Sequence, residues 1–169
     1  MKHTKPNITL IGMPGVGKST IGVILAKIIG YEFIDSDILI QKQEGKLLKN
    51  IIAEKGSAGF LDIENRLHAE LQVANSIISP GGSICYCQKG MEHLRDISTV
   101  IYLKLDYPKL KRRLGNLTAR GVVLQKGQSL RDLYKERTPL YEKYAHIVID
   151  ETSLTVEKTI KTILEALEL

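Results

Sequence analysis

The sequence predicts a three-layer α/β/α fold built on a central parallel sheet, and three observations predict it. Short apolar runs alternate with helix-period segments along the whole chain, the pattern of a parallel sheet covered on both faces. Between the first such strand and the first such helix lies Gly12-Met13-Pro14-Gly15-Val16-Gly17-Lys18-Ser19, a full G-x-x-x-x-G-K-[ST] loop. Asp35-Ser36-Asp37 and Pro80-Gly81-Gly82 follow later strands, at the rim where open α/β sheets bind ligands.

Each element has its own signal. Residues 8–11 are an apolar strand. Residues 18–29 read as a helix with Ile21, Ile24, Leu25 and Ile28 on one face and Gly30 as the stop. Residues 31–35 are a second strand. Residues 36–75 are mainly helical in pattern, broken near Glu44-Gly45 and near 55–59. Residues 76–79 are a strand ending in Pro80, and 88–95 are a short helix. The clearest interior strand is 99–105, after which Asp106 caps a helix with Pro108 in its first turn. Residues 115–127 are basic and glycine-punctuated, the pattern of a mobile loop. A helix over 129–144 contains Pro139, expected to kink or break it. A strand at 147–149 precedes a closing helix with Val156, Ile160, Ile163, Leu164 and Leu167 on one face. With no internal repeat and 169 residues, one domain is expected.

Composition narrows the function classes. The net charge of +5 mildly favours an anionic ligand. No Arg/Lys-rich tract interleaved with aromatics is present, so no nucleic-acid partner is expected. Cys85 and Cys87 lack a second Cys/His pair at zinc-site spacing, and His3, His68, His93 and His146 are scattered, so structural or incidental roles are expected of them. Few cysteines, no secretory h-region and no long apolar run point to a cytoplasmic protein without a membrane partner.

The glycine loop carries the chemistry. Strand one delivers it, and the following helix aims its positive N-terminus and free amides at phosphate oxygens. Gly12, Gly15, Val16, Gly17, Lys18, Ser19 and Thr20 form the nucleotide cradle. Lys18 would reach the β/γ-phosphates and the Ser19 hydroxyl would ligate Mg²⁺. The guanine-reading N/T-K-x-D signature is missing, and the chain is short for most motor ATPases. Small-molecule phosphoryl transfer from ATP remains.

Five further segments occur in the order seen in shikimate kinases: Asp35-Ser36-Asp37, Phe60 with Glu64, Pro80-Gly81-Gly82, the basic loop around Arg120, and Arg137-Thr138-Pro139-Leu140-Tyr141. The chain resembles that family over nearly its whole length. The resemblance implies a phosphotransferase of aromatic amino acid biosynthesis, with the nucleoside-monophosphate-kinase-like fold, that uses ATP and Mg²⁺ to phosphorylate a hydroxyl of shikimate. It implies a lid at about 115–127, a substrate-binding segment at about 36–75, and a monomer. By the same resemblance Asp35 supports the metal, and Asp37 orients or deprotonates the acceptor hydroxyl. Glu64, Gly81 and Gly82 face the substrate, Arg120 closes with the lid, Arg137 pairs with a substrate carboxylate, and Arg113 lies along the adenine. Lys111 and Arg112 stand beside Arg113 as alternatives.

The acceptor half departs from the family pattern. Leu61 occupies a substrate-binding position where Arg is usual, Ser83 replaces a third glycine, and Gly121 replaces the proline after the lid arginine. Three accounts stay open: a shikimate kinase in which Arg66 or another cation replaces the lost fork, a sister kinase for a hydroxy amino acid or sugar acid, or a nucleotide-binding module without turnover.

Overall fold

The computed structural model describes residues 5–114 and 126–169. Among these residues five parallel strands form one sheet in the order β2-β3-β1-β4-β5: β1 Asn7–Ile11, β2 Glu32–Asp35, β3 Ser76–Ser79, β4 Ser98–Lys104 and β5 Ile147–Asp150. β1 lies in the centre, pairing Ile8 with Ile77 on one side and with Thr99 on the other. Its Ile8, Leu10 and Ile11 are buried, as a continuous apolar strand covered on both faces must be. Each such side chain contributes roughly 1.5–3 kcal/mol by leaving water.

The described residues form seven α-helices: α1 Lys18–Ile29, α2 Ser36–Glu44, α3 Leu48–Ala69, α4 Gln88–Ile97, α5 Tyr107–Leu114, α6 Leu130–Tyr144 and α7 Val156–Leu167. A 3₁₀ turn, Gly82–Tyr86, links β3 to α4. Because the strands are parallel, the loops after β1, β2 and β3 gather at one end of the sheet. Among the described residues no helix is long and apolar enough to cross a membrane.

Local chemistry sets the ends of these elements. The Asp35 carboxylate accepts the Asp37 and Ile38 amides at 2.9 and 3.3 Å and so starts α2, which Gly45 ends. The break expected near 55–59 is a kink inside α3 at Gly56, whose φ of 71° only glycine adopts cheaply. Asp106 caps α5 through the Lys109 amide, and Ser129 and Asp132 cap α6 reciprocally.

Three expectations are corrected. The buried side of α1 is Ile21, Gly22, Leu25 and Ala26, whereas Ile24 and Ile28 are 38% and 55% exposed. A Cβ on Gly22 would stand 2.6 Å from the Phe33 ring, so α1 approaches the sheet along its small residues and its buried stripe is rotated. Val156, at the first turn of α7, is likewise exposed. Pro139 lies inside α6 and does not break it. It and Lys135, whose carbonyl would have met the missing N–H, lie on the solvent side, where water can satisfy that carbonyl.

Candidate active site

The loop after β1 wraps the start of α1. Gly12, Gly15 and Gly17 all have positive φ. Gly12 is the tightest, since a Cβ there would press to 2.7 Å from the Leu103 carbonyl oxygen of β4. Gly17 precedes α1 without a side-chain cap, which leaves first-turn amides available to phosphate oxygens. The Lys18 ammonium folds back and donates to the Gly12 and Met13 carbonyls at 2.9 and 3.0 Å. Burial pulls its pKa down to about 8, and Arg137 acts in the same direction while Asp37 opposes. Ser19 and Thr20 are exposed at the mouth of the loop.

Opposite Lys18 is a cavity of about 140 Å³. Its walls include Lys18, Ser19, Asp35, Asp37, Gly81, Gly82, Ser83 and Arg137, contributed by four separate stretches of chain. Asp37 is half-buried, and burial raises its carboxyl to about 6, with Asp35 adding repulsion and Lys18 opposing. Arg137 is 2% exposed. Its guanidinium lies 5.2 Å from the Tyr86 ring centroid, and its Nε donates to the Tyr86 hydroxyl at 3.4 Å. Tyr86 in turn bonds Glu136. The Gly81-Gly82 backbone is hemmed in. A Cβ on Gly82 would meet Pro14 at 2.7 Å and Arg137 at 3.0 Å, and the Tyr141 hydroxyl donates to the Gly82 carbonyl at 2.6 Å.

Glu64 is fully buried on α3 behind this wall. The Ser83 hydroxyl donates to its Oε2 at 2.6 Å. Burial pushes its carboxyl up to about 8. One turn further on, His68 bonds the Glu64 carbonyl at 2.7 Å and the Ser36 hydroxyl at 2.8 Å. Burial lowers His68 to about 4, so the neutral ring ties α3 to the residue between Asp35 and Asp37.

The structure therefore brings together Lys18, Ser19, Asp35, Asp37, Gly81, Gly82 and Arg137. Other expected residues lie elsewhere. Leu61 lines a neighbouring, more apolar cavity with Ser57, Tyr86 and Leu133, and among the described residues Ser83 and Arg137 border both spaces. Arg66 cannot replace a lost cation. Two residues from Glu64, it sits about 200° around the helix, exposed in a groove beside Gln43 and Glu70. Arg113 is outside the cavity, donating to the Val16 carbonyl at 3.0 Å and pairing with Glu151 at 3.3 Å. Arg120 and most of the expected lid, 115–125, fall outside the described residues.

Ser83, Tyr86, Tyr141, His68 and Glu151 escaped the sequence reading as site residues. Glu151 follows β5, is 3% exposed, and is raised to about 7 by burial against the pull of Arg113. Its place after a strand end was the available signal; the others depend on pairings across 19 to 59 residues of chain.

Comparison with known proteins agrees over the full length. A family model described as "SKI: Shikimate kinase" matches residues 14–168. Shikimate kinase from Paracidovorax citrulli is 35% identical over 176 residues, covering 100% of this chain and 96% of its own. The Clostridium botulinum (strain 657) enzyme of that name is 38% identical over 167 residues, covering 95% of each. The solved structure of shikimate kinase from Acinetobacter baumannii in complex with shikimate superposes with a TM-score of 0.88 at 31% identity, over 98% of this chain and 94% of that one. A match running from residue 14 to residue 168, with relatives above 30% identity along nearly the whole chain, makes this protein a member of the shikimate kinase family.

Proposed function

We infer that this protein transfers the γ-phosphoryl group of ATP to a hydroxyl of shikimate. The observation that carries the reading is the convergence of Lys18, Asp37 and Arg137 on one small cavity beside the phosphate loop. A phosphoryl group in transfer spreads negative charge over its equatorial oxygens, so it needs a cation with little freedom to wander. Lys18, held by two loop carbonyls, supplies one. The acceptor oxygen must lie in line with the group it attacks. Asp37 faces the same space and can orient that hydroxyl and take its proton. The acceptor oxygen bonds to the γ-phosphorus, the bridging bond to the β-phosphate breaks, and ADP leaves with the electron pair. Arg137, fixed by the Tyr86 ring, is suited to a carboxylate of the acceptor.

Mg²⁺ fits the donor set. The Ser19 hydroxyl and the Asp35 carboxylate, both hard oxygen ligands, border the cavity. No described cluster of three or more His, Cys, Asp or Glu side chains could hold a metal alone, so phosphates and waters would complete the coordination. The ion supplies charge neutralisation at the transferring oxygens. Arg113, packed on the phosphate loop, would border the base.

A coupled ADP-release assay over shikimate and a panel of hydroxy acids and sugars tests the reading. Turnover with shikimate at substantially higher kcat/KM than with the others is expected. Turnover with an uncharged sugar but not shikimate would select the sister-kinase account that Leu61 favours. Nucleotide binding without any turnover would select a binding module.

A further inference from the structure

The sheet order gives a bound nucleotide a direction. Asp35, Asp37, Gly81 and Gly82 of the acceptor cavity follow β2 and β3, on one side of the central β1 and its phosphate loop. A nucleotide whose terminal phosphate faces that cavity must send its ribose and base the other way, over the ends of β4 and β5. Two charged side chains stand there, Arg113 in the last turn of α5 and Glu151 directly after β5. The Arg113 guanidinium donates through one nitrogen to the Val16 carbonyl of the phosphate loop at 3.0 Å and to Glu151 Oε1 at 3.3 Å. Three distant stretches of chain therefore meet at that nitrogen.

The two charged partners differ in freedom. The Arg113 side chain is 43% exposed, whereas that of Glu151 is 4% exposed. The Glu151 backbone is also fixed: its N–H donates to the Lys104 carbonyl at 2.9 Å, and its carbonyl accepts the Leu154 amide at 3.0 Å. A long, half-exposed arginine on its own samples many rotamers. A carboxylate buried at a fixed point holds it in one. Stability alone gives no reason for such a pair, since a buried ion pair is often no better than apolar groups of the same size.

We propose that Glu151 is a positioning residue of the nucleotide site: it locks Arg113 against the Val16 carbonyl, so that the guanidinium becomes a fixed, charge-compensated platform for the nucleotide base. The proposal rests on the reading that the phosphate loop holds ATP. Compensation matters to the chemistry. An uncompensated arginine beside the loop would draw the phosphates toward itself. Paired with Glu151, it offers the base a flat, weakly hydrated face, and Lys18 remains the cation that the phosphates meet. Glu151 thereby acts on the base and not on the triphosphate.

Calorimetry at pH 8, above the value of about 7 to which burial lifts Glu151, tests this. It compares magnesium ATP with inorganic tripolyphosphate, which carries a triphosphate chain and no base. The proteins are wild type, Glu151→Gln, Arg113→Ala and the double variant. Glu151→Gln should weaken ATP binding about fivefold and leave tripolyphosphate within about twofold of wild type. Arg113→Ala should weaken ATP binding at least as much, and adding Glu151→Gln to it should change nothing further, because the side chain that Glu151 positions is gone. A residue that merely supports the fold would weaken both ligands, and would do so with or without Arg113. Retained tripolyphosphate binding also shows that a variant is folded, and Arg113→Gln serves if Arg113→Ala is not. Equal loss of ATP and tripolyphosphate in Glu151→Gln, tighter ATP binding in that variant, or additive losses in the double variant overturns the proposal. Wild type that binds neither ligand rejects the reading of the loop itself. Wild type that binds both, with Glu151→Gln indistinguishable from it, rejects the proposal alone.

Discussion

The two walls of the site are built differently. The donor wall is one contiguous loop whose working parts are backbone amides and carbonyls, with Lys18 folded onto them. The acceptor wall is assembled from side chains on α2, α3, the β3–α4 connection and α6. Backbone recognition of phosphate tolerates little change, because a Cβ at Gly12 would strike β4. Side-chain recognition can be rebuilt by exchanging partners. In this chain that wall includes Ser83, whose hydroxyl holds Glu64.

Substitutions on the two walls should separate cleanly. Lys18→Ala should have the largest effect, lowering kcat by about 10³-fold or more, read in the ADP-release assay. A loss below tenfold would remove Lys18 from the transferring group. Arg137→Ala should act on the acceptor alone, raising its KM by roughly 30- to 1,000-fold, the equivalent of about 2–4 kcal/mol, with ATP KM little changed. A parallel rise in ATP KM would mean the walls are not independent. Leu61→Arg places a cation next to the boundary shared with Arg137 and should lower the KM for shikimate by about fivefold. An unchanged or raised KM would locate the carboxylate elsewhere. Tyr141→Phe deletes the bond to the Gly82 carbonyl and should cost about 1 kcal/mol in chemical denaturation, with a few-fold rise in acceptor KM. An unaltered midpoint would show the turn to be held by packing alone.

Stability should carry a pH signature of the acceptor wall. Glu64 binds its proton more tightly folded than unfolded, with a folded value of about 8 against 4.5. Between those values the native state holds a proton that the unfolded chain releases. Its contribution is therefore present below about 4.5 and lost progressively as pH rises to about 8. Denaturation midpoints of wild type should fall across that window relative to Glu64→Gln, and parallel curves would mean that Glu64 is ionised throughout.

Much of this was legible in the chain, for a physical reason. A phosphate loop is contiguous, so its spacing can be read directly, and strand–helix alternation places Asp35 and Gly81 at the same rim. Periodicity alone misplaced the buried stripe of α1, since it cannot know that Gly22 is the residue pressed against Phe33. Arg66 is a cation near Leu61 in sequence, yet helical geometry turns it to the face opposite Glu64. The Ser83–Glu64 and Tyr86–Arg137 pairings join segments 19 and 51 residues apart. Neither partner's residue type announces the other, so only the packed fold reveals them.

On this reading the donor and acceptor walls meet at Asp37. The decisive variant is Asp37→Asn, with kcat measured beside the Kd for magnesium nucleotide. A kcat lower by about 10²-fold or more is expected, with nucleotide affinity within a few-fold of wild type. Equal losses in both would contradict it.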